Sequence, residues 1–384
     1  MPDFRANRCT RYRFRYSECR RCADACPHEA IGLTDEGATL VADACKDCGL
    51  CVSACHTSAW TSPTFKPIDL LREAIQRSAL SLACEPSGCG PVADATVPCL
   101  GAIDAVWLAY MARRRIPLTL HGSGHCAECV HGKTGAAQLQ TNLEALDELL
   151  KAATPPDTDG EPPRPLPDWR MPVLAQDQRA PGARDLAARK SAVAASRRQL
   201  FRRIFRHGGD APAAPNHGGA PAQAPQNTPQ KAIRAGAYAV SEQRELLQIV
   251  SRQKDNAPFH VAYHEALPLL QLSLQPGCTL CEACFRVCPT GALQIEENPG
   301  DWALTFQTDR CVACAVCLEV CQPRVLDAAP SFDARPEQAA ITLIRQTKQR
   351  CARCDRHFVS PSPQKTCTVC SDDEDAFAAI FGND

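Results

Sequence analysis

The chain has 384 residues, 25 cysteines and a formal net charge of -1 at pH 7. This length corresponds to roughly two or three domains, and the near-zero charge excludes a protein-wide field that would attract nucleic acid or an anionic membrane. Aromatic residues make up 5% of the sequence and prolines number 31, which favours several small units over one large core.

The cysteines indicate metal binding in a reducing compartment. Disulfide scaffolds are typically short secreted chains with a signal peptide. Here no apolar segment follows the start of the sequence, and no stretch approaches the about 18 apolar residues of a membrane span. Since the cysteines come as CxxC pairs and triplets, we expect a cytoplasmic metal-binding protein without a transmembrane segment.

Two cysteine-rich segments repeat along the chain, and we assign them to domains at 1–66 and 231–345. In each, a cysteine cluster ends in Cys-Pro, a short hairpin follows and a second cluster closes the motif. The hairpins are predicted at 30–41 and 292–306, where apolar residues alternate around Gly-containing turns.

A small α/β domain is predicted at 67–153, between the repeats. Strands are expected at 79–83 and 116–120, and an apolar-rich helix at 100–115. Leucines at helical spacing predict a second, amphipathic helix at 136–152.

Residues 154–230 are predicted to be a disordered linker, because they hold 13 of the 31 prolines among Ala, Gly and polar residues. A tether of this length would let the two repeats approach different partners or each other. A basic helix is expected at 184–206. The alternatives for it are a solvated helix and a helix that contacts a partner or, weakly, an anionic membrane surface.

The second cysteine repeat has the strongest signal. Its spacing resembles that of bacterial dicluster ferredoxins, in which three thiolates wrap one 4Fe–4S cluster and the fourth cysteine reaches the other cluster. A pair of zinc sites is the alternative, although zinc sites rarely use triplets at this spacing. The resemblance implies one cluster on Cys278, Cys281, Cys284 and Cys321, and a second on Cys311, Cys314, Cys317 and Cys288.

The first repeat departs from this pattern at one ligand. Tyr16 stands where the second copy has Cys278, and Cys9 lies seven residues earlier as the replacement. The alternative is a three-iron cluster with Cys9 free. His56 follows Cys55 and is expected to be a surface residue rather than a ligand. By the same resemblance, one cluster takes Cys26, Cys45, Cys48 and Cys51, and the other takes Cys19, Cys22 and Cys55, with Cys9 as the fourth ligand.

Arginines surround the incomplete half of the first repeat. They form either a docking patch for an acidic redox partner or a solvated basic face. Nucleic-acid binding is a weaker interpretation, because no nucleic-acid-binding motif accompanies them. The arginines are Arg5, Arg8, Arg11, Arg13, Arg15, Arg20 and Arg21.

The α/β domain carries five further cysteines. A metal site is predicted on four of them, with Cys89 as a substitute ligand, and iron–sulfur is favoured over zinc. The alternatives are ordinary buried thiols beside an inactive CxxC, or a thioredoxin-like dithiol that lacks a clear βαβ context. The four predicted ligands are Cys84, Cys99, Cys126 and Cys129.

Two CxxC knuckles separated by twelve residues fall in the last segment, 346–384, beside an acidic tail. Such knuckles give a tetrahedral four-thiolate site and resemble a short zinc ribbon. Rubredoxin-type iron uses the same geometry, but the prolines and glycines that accompany it are missing here. We therefore predict one zinc on Cys351, Cys354, Cys367 and Cys370.

These patterns together predict an α+β chain with two ferredoxin-like domains, a middle α/β domain, a linker and a zinc ribbon. The expected function is that of a polyferredoxin, which passes single electrons through four 4Fe–4S clusters between a dehydrogenase or reductase and a small electron carrier. The alternative is an iron–sulfur assembly or maturation factor for a metalloenzyme such as a molybdenum-dependent dehydrogenase. An enzyme is a weaker hypothesis, since neither a nucleotide-binding fingerprint nor a nucleophile–base set stands out.

Overall fold

The computed structural model describes residues 1–153, 169–175, 236 and 238–372. The chain mixes helices and strands, which agrees with the expected α+β class. The basic helix expected at 184–206 and the acidic tail from residue 373 onward lie outside the described residues. Within the described ranges, no helix combines the length and the apolar character needed to cross a bilayer.

The N-terminal segment is built from short elements around its cysteine loops. Strand β1 pairs antiparallel with β4, so the two ends of the segment lie side by side, and Phe4 and Trp60 pack with ring centroids 4.7 Å apart. Strands β2 and β3 form the predicted hairpin. The elements are β1 (Asp3–Phe4), α1 (Thr10–Arg13), α2 (Arg21–Asp24), β2 (Ile31–Thr34), β3 (Gly37–Leu40), α3 (Leu50–Ser53) and β4 (Trp60–Thr61).

The middle domain is a parallel sheet with strand order β6-β5-β7-β8. Its core includes the fully buried Leu82, Leu120 and Leu146. Helix α5 starts where the Asp104 side chain accepts a hydrogen bond from the backbone N–H of Trp107, an N-cap that fixes the first turn. The elements are α4 (Pro67–Ala74), β5 (Leu80–Cys84), β6 (Ala95–Val97), α5 (Ala105–Arg113), β7 (Leu118–His121), α6 (Gly132–Ala153) and β8 (Val173–Leu174).

The structure differs from the expected linker at residues 169–175. Strand β8 lies within the predicted linker yet pairs in parallel with β7, placing Leu174 opposite Leu120. Trp169 stacks on Phe259 with ring centroids 6.5 Å apart. Residues 169–175 are stabilised by pairing with the edge of β7 and by the contact of the Trp169 ring with Phe259, although the surrounding sequence is rich in proline.

The second cysteine repeat and the C-terminal module share one antiparallel sheet, with strand order β11-β12-β15-β16. The boundary expected between 345 and 346 falls inside β15, because that strand pairs with β12 on one side and β16 on the other. The elements are α7 (Glu242–Ser251), β9 (His260–Ala262), β10 (Leu272–Leu274), α8 (Ala283–Val287), β11 (Leu293–Asn298), β12 (Asp301–Phe306), α9 (Val316–Glu319), β13 (Leu326–Ala328), β14 (Ser331–Asp333), β15 (Ile341–Arg350) and β16 (His357–Ser360).

The middle domain and the second repeat pack against each other. Leu247 and Val250 of α7 belong to the same buried hydrophobic cluster as Trp107 and Met111 of α5. The Arg113 side chain donates hydrogen bonds to carbonyl groups at the C-terminal end of α7, where helix carbonyls lack intrahelical partners. The middle domain and the second repeat are therefore held together by contacts among their described residues.

Candidate iron–sulfur and metal sites

Three cysteine loops share one backbone geometry. In each CxxCxxC loop the residues two and four positions after the first cysteine have positive φ: Leu280 and Glu282, Ala313 and Ala315, and Asp47 and Gly49. Left-handed residues at these positions curl the chain tightly, which brings three thiols of one loop toward a common point. The spacing of the cysteines therefore works together with a specific loop conformation.

The second repeat forms two cysteine sites. In the first, Cys278, Cys281, Cys284 and Cys321 line one cavity with apolar neighbours that include Trp302 and Leu304. Burial, followed by the charges of the other three cysteines, raises the pKa of Cys284 to about 12. In the second, burial and the charges of the neighbouring thiols raise the pKa of Cys317 well above its ordinary value; the cysteines of this site are Cys288, Cys311, Cys314 and Cys317.

The first repeat also brings its cysteines to two sites, and Cys9 lies at one of them. A single cavity is lined by Cys9, Cys19, Cys22 and Cys55 together with Phe4, Leu33 and Trp60. Tyr16 is 68% exposed and does not line this cavity. The other site holds Cys26, Cys45, Cys48 and Cys51, whose charges act on one another.

His56 does not lie on the surface as expected. Its side chain is 3% exposed and lines the cavity of Cys9 and Cys55. Arg21 Nη1 lies 3.4 Å from His56 Nε2. Burial first, then the positive charge of Arg21, lowers the pKa of His56 well below its ordinary value, so the imidazole is neutral at physiological pH. The expectation failed because the position after Cys55 is covered by residues from distant segments.

The middle domain brings its four predicted ligands to one cavity of about 140 Å³, at the carboxyl end of β5 and β7. Burial raises the pKa of Cys99 to about 12. Cys89 lies outside this lining; its buried thiol points to the Ser87 carbonyl oxygen, 3.9 Å away. Two glycines allow the close approach, since a Cβ at Gly122 would lie 2.9 Å from Cys84 Sγ and one at Gly135 would lie 2.9 Å from Cys99 Sγ. The cavity cysteines are Cys84, Cys99, Cys126 and Cys129.

Two histidines join the middle domain to the first repeat. His28 Nε2 and His131 Nδ1 lie 3.0 Å apart, and His131 also lines the middle cavity. Ligand atoms of His28, His131 and Cys48 lie within 4.8 Å of one another. The sequence offered no signal for this pair, because its members lie more than 100 positions apart.

The C-terminal module brings its four sulfurs within 4.8 Å of one another, which suits a tetrahedral metal ion. Cys351 Sγ accepts a hydrogen bond from the backbone N–H of Cys367 over 3.3 Å. Backbone N–H donors at Cys354 and Cys367 lower the pKa of Cys351 to about 6, so this sulfur is a thiolate at neutral pH. The four residues are Cys351, Cys354, Cys367 and Cys370.

Five of these sites lie in a row. Where two sites adjoin, the pKa of one cysteine is raised mainly by its burial. The charge of a cysteine in the adjacent site raises that pKa further. The packing agrees: Cys314 lines the cavity of Cys9 and Cys55, and Cys48 and Cys99 share one buried cluster. The cysteines that influence each other electrostatically are Cys284 and Cys317, Cys19 and Cys314, Cys22 and Cys51, and Cys48 and Cys99.

The arginines of the first repeat do not form one exposed patch. Arg13 is buried and donates hydrogen bonds to carbonyls of the second repeat, over 2.8 Å to Val287 and 3.2 Å to Cys288. Arg21 donates to the Glu265 carbonyl over 2.8 Å. Arg20 remains exposed beside Asp24. Two members of the expected patch thus bind the two repeats together.

Comparison with known proteins identifies one part of the chain. Residues 277–325 match the model of the 4Fe-4S dicluster domain. A 58-residue stretch is 40% identical to the polyferredoxin protein MvhB of Methanothermobacter marburgensis, which covers 13% of this chain and 14% of that protein. The chain therefore spans a small fraction of this relative, and no solved structure matches it. Residues 277–325 are a 4Fe–4S dicluster domain.

Proposed function

We propose that this chain is a polyferredoxin-type protein that relays single electrons between a redox enzyme and a small electron carrier. The observation that carries the proposal is the row of five cysteine sites, in which a cysteine of each site feels the charge of a cysteine in the next. Iron–sulfur clusters would supply one-electron chemistry at potentials set by charge, hydrogen bonds and burial. The similarity to a polyferredoxin supports the same role.

The residues fit this cofactor by their chemistry. The donor sets of the two repeats consist of sulfur alone, which suits iron–sulfur clusters. Burial and the like charges of neighbouring cysteines raise the pKa of Cys284 and of Cys51, so a bound cation would be needed to hold these two sulfurs as thiolates. Four 4Fe–4S clusters are proposed on the four sites of the repeats, with Cys9 as the fourth ligand beside Cys19, Cys22 and Cys55. A three-iron cluster there is the alternative.

The two remaining sites are proposed to differ in their metal. The middle cavity is assigned an iron–sulfur cluster, because it ends the row and contacts Cys48 through Cys99. The C-terminal site stands apart from the row and is assigned structural zinc. Its knuckle follows β15 and precedes β16, so a metal there would fix the end of the shared sheet.

An assembly or maturation factor remains the second candidate, on the observation that Cys281 is exposed. An exposed ligand would help a cluster pass to an acceptor protein. The position of Cys9 in the same cavity as Cys19, Cys22 and Cys55 favours the relay instead, because a carrier needs clusters that stay bound.

Redox titration of the anaerobically purified chain separates the two functions. A relay takes up and returns electrons reversibly while its iron content stays constant through repeated cycles. A maturation factor loses iron and sulfide to an apo-ferredoxin acceptor added at equal concentration. Transfer of most of the iron to that acceptor, without reversible reduction, would replace the relay by the second function.

A further inference from the structure

Two buried arginines converge on the site of Cys288, Cys311, Cys314 and Cys317. Arg244, on α7, is 0% exposed. Its Nε donates to the Cys311 carbonyl over 3.0 Å, and its Nη2 donates to the Thr308 carbonyl over 3.0 Å. Its Nη1 is buried without a hydrogen-bond partner among the described residues.

The second arginine comes from the other repeat. Arg13, at the end of α1, is 5% exposed, and its Nε and Nη2 donate to the carbonyls of Val287 and Cys288. Its neighbour Phe14 packs against Val287, Val316 and Val320, so the apolar contact and the guanidinium arrive together. The docked N-terminal segment therefore places a positive charge against a ligand of the second repeat.

Among the described residues, the charge of Arg244 has little compensation from protein carboxylates. Asp309 Oδ1 lies 3.7 Å from Arg244 Nη2, but this carboxylate is partly exposed. Burial lowers the pKa of Arg244 to about 10, and the guanidinium remains charged at neutral pH. A buried charge is costly unless opposite charge lies nearby. The thiolates and the added electron of a reduced cluster are the negative charges that this arrangement suits.

The neighbouring site lacks such arginines in its described lining. It holds Cys278, Cys281, Cys284 and Cys321, and the cavity is lined by apolar residues, Thr279 and Glu282, without an arginine or lysine. Arg286, on α8, is exposed and pairs with Glu282 over 2.6 Å. Exposed ion pairs of this kind are screened by solvent and contribute little.

From this asymmetry we infer that Arg13 and Arg244 set the reduction potentials within residues 277–325, giving the Cys288, Cys311, Cys314 and Cys317 cluster the higher potential of the two. The inference rests on the proposed relay function. Positive charge close to a cluster stabilises its reduced form. Since Arg13 belongs to the other repeat, reduction and docking are linked: reduction of this cluster tightens the docking of the N-terminal segment, and docking raises the potential.

The test is an EPR-monitored redox titration of the full, cluster-loaded chain. Arg13→Gln and Arg244→Gln should each shift the same single component to more negative potential. Arg13→Lys and Arg244→Lys keep the charge and should retain most of the original value. Arg345→Gln, which alters an exposed arginine on β15 that pairs with Asp301, is the matched control and should leave all components unchanged.

Three results would overturn the inference while leaving the relay intact: no shift at full iron content, shifts of different components for the two arginines, or equal shifts for the Gln and Lys variants. Failure of the relay itself is distinct, because the unaltered chain would then show no reversible component.

Hydrogen exchange in the unaltered chain gives a second test that needs no variant. Backbone amides around Arg13 should exchange more slowly in the reduced chain, and equal exchange in both states would refute the linkage.

Discussion

Gly122 offers a direct test of how the middle cavity is built. This glycine has φ +104° and precedes the 3₁₀ turn Ser123–Glu128, which carries Cys126. A Cβ at this position would lie 2.6 Å from the Ser87 Cβ and Oγ atoms and 2.9 Å from Cys84 Sγ. Gly122→Ala therefore combines an unfavourable backbone conformation with overlap against two residues that shape the cavity.

The magnitude follows from these two costs. The positive φ costs about 1–2 kcal/mol for a residue with a side chain, and forcing a methyl group into packed atoms adds about 1–3 kcal/mol. Gly300→Ala is the matched control, since Gly300 has φ +80° and a Cβ there would meet nothing within 4 Å. It should show the backbone cost alone, so the two variants should differ by about 1–3 kcal/mol.

Anaerobic thermal unfolding and metal analysis give the comparison. Gly122→Ala should unfold at a lower midpoint than Gly300→Ala and should lose the metal of the middle cavity, because Cys84 and Cys126 are pushed apart. Gly300→Ala should keep the metal content of the unaltered chain. If the two variants match in both midpoint and metal content, the cavity is not packed as described and the reasoning fails.

Three further substitutions test individual ligands. Cys9→Ser should remove about one iron per chain and give the EPR signal of a three-iron cluster, since three of four thiolates remain; Tyr16→Phe should retain full iron, and an unchanged iron content in Cys9→Ser would show that Cys9 is not a ligand. Cys354→Ser should abolish zinc binding while iron and sulfide stay constant, and simultaneous loss of iron and sulfide would contradict a separate zinc site. Cys89→Ser should keep the metal of the middle cavity, because its thiol lies outside the lining; loss of that metal would make Cys89 a ligand.

Cysteine spacing predicted much of the candidate sites, because loop closure over two or three residues leaves few ways to bring thiols together. The hairpins were also predictable from alternation and Gly-containing turns, and two of the four middle-domain strands, β5 and β7, were predicted from short apolar runs. The left-handed conformations of Leu280, Ala313 and Ala315 were not, since Leu and Ala carry no signal for positive φ. Gly49, and to a lesser degree Asp47, were the members of these loops with a recognisable preference.

Contacts between distant segments could not be predicted from one sequence. Arg13 looks like any other member of an arginine-rich run, and only the packing of Phe14 onto the second repeat explains its burial. His56 and Trp169 were misjudged for the same reason, since their partners lie far away in the chain. The local cysteine pattern predicts which side chains could hold a cofactor. Contacts between segments that are distant in the sequence determine which charges surround that cofactor.

Iron, zinc and acid-labile sulfide analysis of the anaerobically purified chain tests the central claim most directly. Four cubane sites predict about sixteen irons and a similar amount of sulfide per chain, with one zinc at the C-terminal site and about four more irons if the middle cavity holds a cubane. Colourless protein without acid-labile sulfide would contradict the account.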